Sequence, residues 1–365
     1  MPEIVVARVA GLSLMHCRGI SREPRSAASL PAIVEAEAER AQRPAHVRGS
    51  GRAAIYLHPV NSTAAVLLDN RLGATARVGM EVRMEITFLG TAASEGYPNP
   101  FCACGNCDRV RSIGGASLRK RSAAVIDDEL LIDLGPDLLA AAQLHGRSLA
   151  GIRYALQTHE HADHLDPSLL TARSPLCQAE TGWLDYYATT GALDLAATAI
   201  GNLPAAGLHD PAVAARLRLR PITVAPCQTF AVGPYLVSGV PANHDPRLAA
   251  MLFAIRRGDR ALFYGTDSGP LPEAAWEYLK REGWRFSVVV LDHTFGLGDR
   301  GTGHMNAEQV IEQMARFEAE GLLAGDARFY AHHIAHHSNP GHDELRIFAA
   351  ARGYDVAYDG LTVVV

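Results

Sequence analysis

A chain of 365 residues, 48% hydrophobic and 20% charged, can bury its own core as about two domains, or as one large α/β domain with an appendage. Its net charge of -5 argues weakly against nucleic acid or a membrane surface as partner, since both reward a basic surface. No apolar run reaches the roughly 18 residues of a membrane helix, and Glu3 and Arg8 interrupt any signal-peptide pattern, so a cytoplasmic location is expected.

Residues 1–83 are net basic, with Arg but no Lys. They hold a short helical pattern at 34–43 and two strand-like runs within 53–70, without evident chemistry. They are expected to be an N-terminal extension, either an accessory module or translated sequence upstream of the native start. Met84 opens the first convincing strand, and 84–365 is expected to carry the function. Apolar, β-branched runs predict strands at 84–89, 122–126, 130–133, 152–157, 217–224, 235–240, 251–256, 261–264, 286–291, 328–331 and 361–365. Helical patterns fall at about 136–145, 181–190, 271–282, 305–319 and 342–351, and 178–216 reads as a helical cap over the site. Strands in runs with helices between them predict an α/β fold of two mixed sheets covered by helices on both sides.

The chemistry concentrates in three places. Gln157-Thr158-His159-Glu160-His161-Ala162-Asp163-His164 follows a strand, so three imidazoles and a carboxylate converge on one small volume. That donor set suits Zn, Mn or Fe. Leaving those four groups on one loop without partners would cost roughly 1–3 kcal/mol each. Cys102, Cys104 and Cys107 form a Cys-x-Cys-x-x-Cys cluster, which favours metal over disulfide, and a tetrahedral zinc site there needs a fourth ligand. Cys17, Cys177 and Cys227 are isolated and read as ordinary buried thiols. Finally, His304 precedes a helical pattern, where its pKa would be depressed and an anion would bind; a plain helix cap is the alternative.

His-x-His-x-Asp-His after a strand resembles the metallo-β-lactamase superfamily, over about residues 84–365. The resemblance implies a four-layer αββα sandwich with two divalent metals, Zn or Mn, with Fe admissible. One metal would take His159, His161, His244 and Asp267, and the other Asp163, His164, Asp267 and His333. Asp133 would orient a ligand histidine, and Asp292 is a second carboxylate of this kind. With the Cys cluster and His332-His333-Ile334-Ala335-His336-His337, the chain resembles the PhnP-like phosphodiesterase branch. That branch implies a third, structural zinc on Cys102, Cys104, Cys107 and His336, with the division of labour among His332, His333, His336 and His337 left open. The implied activity is hydrolysis of a small, cyclic phosphodiester by a water bridging the two metals. Asp163 and His304 would be the catalytic residues, His304 protonating the leaving oxygen. The expected partner is that small molecule, without membrane or nucleic acid; a homodimer is admitted. The alternatives are a protein similar to the pyrroloquinoline quinone biosynthesis protein B, a thioester, lactone or β-lactam hydrolase, a tRNA 3′-processing nuclease and a flavodiiron-type oxidoreductase.

Overall fold

The computed structural model describes residues 83–365; the helical pattern at 34–43, the strand-like runs in 53–70, Cys17 and the proposed extension lie outside the described residues. The first sheet is built from β1 (Glu85–Gly90), β2 (Ala123–Ile126), β3 (Leu130–Ile132), β4 (Tyr154–Leu156), β5 (Leu184–Ala188) and β6 (Leu219–Thr223). The second comprises β7 (Gln228–Val232), β8 (Tyr235–Pro241), β9 (Met251–Arg257), β10 (Arg260–Gly265), β11 (Phe286–Asp292), β12 (Leu323–His332) and β13 (Asp355–Val356). The last strand, β14 (Thr362–Val364), returns to pair antiparallel with β1. Each sheet is antiparallel on one side and parallel on the other, through β3-β4-β5-β6 in the first and β10-β11-β12-β13 in the second.

Three apolar cores separate four layers, and the period-2 alternation of the strands explains them. In β2, Ala124 and Ile126 face the other sheet while Ala123 and Val125 face helices. In β10, Leu262 and Tyr264 face inward while Ala261 and Phe263 face the opposite helical layer. The first sheet is covered by the helices Leu138–Leu144, Thr190–Ile200 and Pro211–Leu217. The second is covered by Gly105–Ile113, Glu273–Arg281, Ala307–Ala319 and His342–Ala350. This is the αββα sandwich. No helix among the described residues is long and apolar enough to cross a membrane.

Three expectations need correction. The helical pattern at 181–190 is a strand through most of its length: Leu184, Tyr186 and Ala188 form buried β5, and the helix begins only at Thr190, after Thr189, whose hydroxyl accepts the Ala192 N–H. The segment 178–216 is therefore no cap over the site; its helices pack on the outer face of the first sheet through Ala192, Leu193, Ala196 and Val213. Cys177 and Cys227 are exposed rather than buried, because Cys177 ends the short 3-10 helix Pro175–Cys177 and Cys227 stands in a turn, both at the surface.

Candidate metal centre

The candidate ligands stand at or just beyond strand ends, where parallel strands of both sheets point their carboxyl ends to one edge. β4 leads into the loop carrying His159, His161, Asp163 and His164. From the second sheet, β8 leads to His244, β10 to Asp267 and β12 to His333. Asp133, Asp267 and His333 have φ of 65°, 60° and 58°. This left-handed backbone is uncommon for such residues and marks sharp turns that the surrounding packing must hold.

Asp267 lies at the middle. Its Oδ2 is 3.2 Å from His159 Nε2, 2.8 Å from His164 Nε2 and 3.6 Å from His333 Nε2, and its Oδ1 is 3.4 Å from His244 Nδ1. His161 Nδ1 is 3.0 Å from both His159 Nε2 and His244 Nε2, and Asp163 Oδ2 is 3.2 Å from His164 Nε2. His159, His161, His244 and Asp267 have donor atoms within 4.8 Å of one another, as do Asp163, His164, Asp267 and His333. The two tetrads share Asp267. His164 Nε2, His333 Nε2 and Asp267 Oδ1 are buried and form no hydrogen bond. Buried polar groups are rarely left this way, so the donor set fits two divalent cations.

The opposite edges of the rings are fixed by two similar clamps. Fully buried Asp133 accepts from Thr158 N and Thr158 Oγ, and its Oδ2 lies 2.7 Å from His164 Nδ1. Thr158 Oγ1 is also 3.0 Å from His159 Nδ1. Fully buried Asp292 accepts from Thr294 N and Thr294 Oγ, while Thr294 Oγ1 lies 2.9 Å from His333 Nδ1. Such contacts settle which nitrogen carries the proton and which faces a metal. Gln157 pins the loop by donating to the carbonyls of His159 and His164. Gln157, Thr158 and Thr294 were not assigned roles from sequence; the position of Thr158 directly before the first histidine was the available signal.

Burial, followed by the neighbouring imidazolium, keeps His159 below its ordinary pKa; burial outweighs the opposing Asp267 charge and, with the neighbouring imidazoles, brings His244 to about 4. Both present lone pairs. Burial would raise the Asp267 and Asp163 pKa values, but the adjacent imidazoles outweigh it and hold both carboxyls well below the usual range.

His304 departs from expectation. The following helix is capped by Asn306 in a capping box with Gln309, so His304 lies upstream of its N-terminus. Burial opposes its charge, yet Asp292, Asp267 and Asp163 raise it to about 9 rather than depressing it. Its Nδ1 is 3.0 Å from Asp292 Oδ2 and 3.3 Å from Asp267 Oδ1.

Cys102, Cys104, Cys107 and His336 also gather their donor atoms within 4.8 Å, with Cys104 Sγ 3.6 Å from His336 Nδ1. The Cys107 backbone and His336 lower the Cys104 thiol to about 6, whereas burial raises Cys107 to about 12. This donor set fits a closed zinc site. Asn106 donates to the His336 carbonyl and Tyr97 to that of Asn339, further joining the Cys loop to the 333–339 loop. His332 points elsewhere, to Thr266 Oγ1 and the Gly90 carbonyl, and His337 is exposed.

The sequence profile of the Beta-lactamase superfamily domain matches residues 128–334, more than half of the chain. None of the curated proteins compared with it matches. Among solved structures, a diphosphatase from the PhnP family is 22% identical with a TM-score of 0.58, covering 77% of this chain and 97% of its own. Zinc-bound PqqB from Methylobacterium extorquens is 23% identical with a TM-score of 0.58, covering 76% and 99%. The metallo-beta-lactamase fold protein YhfI from Bacillus subtilis is 18% identical with a TM-score of 0.54, covering 78% and 100%. At these identities the likeness concerns the fold, and the family itself rests on the profile match: the chain belongs to the metallo-β-lactamase superfamily.

Proposed function

We propose that the chain is a metal-dependent hydrolase, and within that class a phosphodiesterase for a small, cyclic phosphodiester. The observation that carries this reading is the pair of donor tetrads sharing Asp267, with three buried donor atoms left without hydrogen bonds. Divalent cations held there, Zn or Mn, would activate water and neutralise charge developing on phosphoryl oxygens. The likeness in fold to a PhnP-family diphosphatase and to zinc-bound PqqB supports, respectively, phosphorus chemistry and zinc.

The residues supply the rest. His304, raised to about 9, retains its proton at neutral pH, and Asp292 holds it through Nδ1, leaving Nε2 to donate to a departing alkoxide. Phe295 packs against the His304 ring with centroids 5.6 Å apart. Together with Asp299, Arg300, His337 and Ser338 it lines a cavity of about 240 Å³, which offers room for a leaving group. Asp163 is read as a metal ligand needed for turnover.

The test compares a cyclic alkyl phosphodiester and bis(p-nitrophenyl) phosphate with thioester, lactone and β-lactam substrates. D163N and D267N should abolish diester turnover. H304A should lower kcat by about 10²–10⁴-fold on the alkyl diester, and much less on the p-nitrophenyl ester, whose leaving group needs no proton. Failure to turn over any diester would overturn the phosphodiesterase reading. Turnover of a carbonyl substrate alone would favour that hydrolase class, and occupancy by a single redox-active iron without hydrolysis would favour a PqqB-like role.

A further inference from the structure

A second cavity, of about 310 Å³, lies on the outer face of the first sheet. Its walls include Leu131, Leu138, Leu149, Ile152, Leu169 and Leu184. Three polar side chains, Arg173, Glu180 and Thr181, also line it; Glu180 is exposed, whereas Arg173 and Thr181 each have a buried atom without a hydrogen bond, Nε and Oγ1. The guanidinium of Arg173 reaches only the Gly182 carbonyl, at 2.8 Å, and forms no ion pair among the described residues. Its neighbour Arg218 is likewise directed at backbone, the carbonyls of Ala179 and Thr181. Burial first, and then the Arg218 charge, push Arg173 below its ordinary pKa.

A half-buried cation beside another cation is unfavourable unless something pairs with it, and Glu180, the carboxylate of the lining, forms no ion pair with Arg173. An apolar cavity with a few polar groups at one place is the general form of a small-molecule site. Water could satisfy the two orphaned atoms, but it would neither balance the charge nor fill the leucine-lined volume. One guanidinium N–H and one hydroxyl match a head with two oxygens and a single negative charge.

We infer that this cavity binds a monocarboxylate with an aliphatic tail, its head on Arg173 Nε and Thr181 Oγ1 and its tail among the leucines. The site is separate from the metal centre and does not depend on the hydrolase reading. It adjoins the catalytic loop through Leu134, which lines the cavity, forms a bridge with Leu165 and accepts a hydrogen bond from Asp166 N.

The test is calorimetric titration and thermal melting of the full chain with octanoate, octan-1-ol and acetate. Octanoate should bind and raise Tm, with both other probes at least about tenfold weaker, since one lacks the charge and the other the tail. R173Q should bind octanoate no better than octan-1-ol while melting, without ligand, no lower than the wild type. T181V should weaken octanoate binding by about tenfold, and provides the test if R173Q folds poorly. A172L, which adds volume at the cavity wall, should weaken octanoate and octan-1-ol together. Equal binding of the three probes, or no octanoate binding, would overturn the inference and leave a water-filled cavity. Unchanged octanoate affinity in both R173Q and T181V would also overturn it and place the carboxylate elsewhere, including on the metals.

Discussion

Asp133 is wholly buried, and the geometry gives it control over the first sheet's imidazoles. Its carboxylate meets His164 Nδ1 directly and His159 through the Thr158 hydroxyl. D133N preserves shape but removes the charge that holds the His164 proton on Nδ1. Because partners of this kind typically change metal affinity by 10–100-fold, D133N should weaken binding by about that factor in chelator competition. Unchanged affinity would mean that the clamp serves the fold alone. A different residue sets a pH limit. Burial and the Arg119 guanidinium, whose Nη2 is 3.0 Å from His342 Nδ1, bring His342 from 6.5 to about 4. Between those values the unfolded chain binds a proton that the folded chain refuses, so stability rises with pH across this window and falls as pH drops from 6.5 toward 4. H342Q keeps an acceptor for Arg119 and should flatten the pH dependence of the denaturant midpoint by up to one proton. His293, also held near 4 by burial while bonded to Asn339 and Tyr354, should retain part of the remaining slope, alongside His244 and His159. A slope identical in H342Q and wild type would remove His342 as its source.

The helix Gly105–Ile113 and the 333–339 loop meet at the Cys cluster, so a metal there would fasten two elements far apart in sequence. If the site is structural, C104S should lower the metal content from near three per chain by one, and expose the 99–107 loop to proteolysis, while the Asp267 centre remains filled. Elemental analysis and limited digestion read these effects separately; loss of all metals would mean that the centres are not independent. The same elements show what the sequence could disclose. The His-x-His-x-Asp-His loop was legible because its donors are neighbours in the chain, and β10, though buried on both faces, was legible because the Arg257-Gly258-Asp259 turn marks its hairpin with β9. β5 was not: a strand buried on both faces reads as a continuous apolar run, and Trp183-Leu184-Asp185-Tyr186-Tyr187-Ala188 fits a helical turn as well as a strand. β7 is partly exposed along its length, and β13 spans two residues defined by pairing with β12. The Asp292–Thr294–His333 clamp crosses from one strand end to another, so no local spacing reports it.

The two sheets each form one wall of the metal centre: His159, His161, Asp163 and His164 come from the first, and His244, Asp267 and His333 from the second. Yet the apolar core between the sheets and the two cores outside them contain none of these residues. A molecule of this size can hold its layers by such burial alone. Metal removal should therefore lower stability without dissolving the fold. A cation held at 100 to 1,000 times its Kd contributes about 2.7–4.1 kcal/mol, so chelation should lower Tm by roughly 5–15 °C with far-UV dichroism retained. D267N, which alters the carboxylate common to both tetrads, should retain with metal present only the part of the stabilisation supplied by the Cys-cluster site, whereas C104S should retain the part supplied by the Asp267 centre. Collapse of the dichroism on chelation would show that the cations, rather than the three cores, hold the sheets together. An unchanged Tm in both chelator and D267N would show that this convergence of imidazoles and carboxylates does not bind cations strongly enough to stabilise the fold.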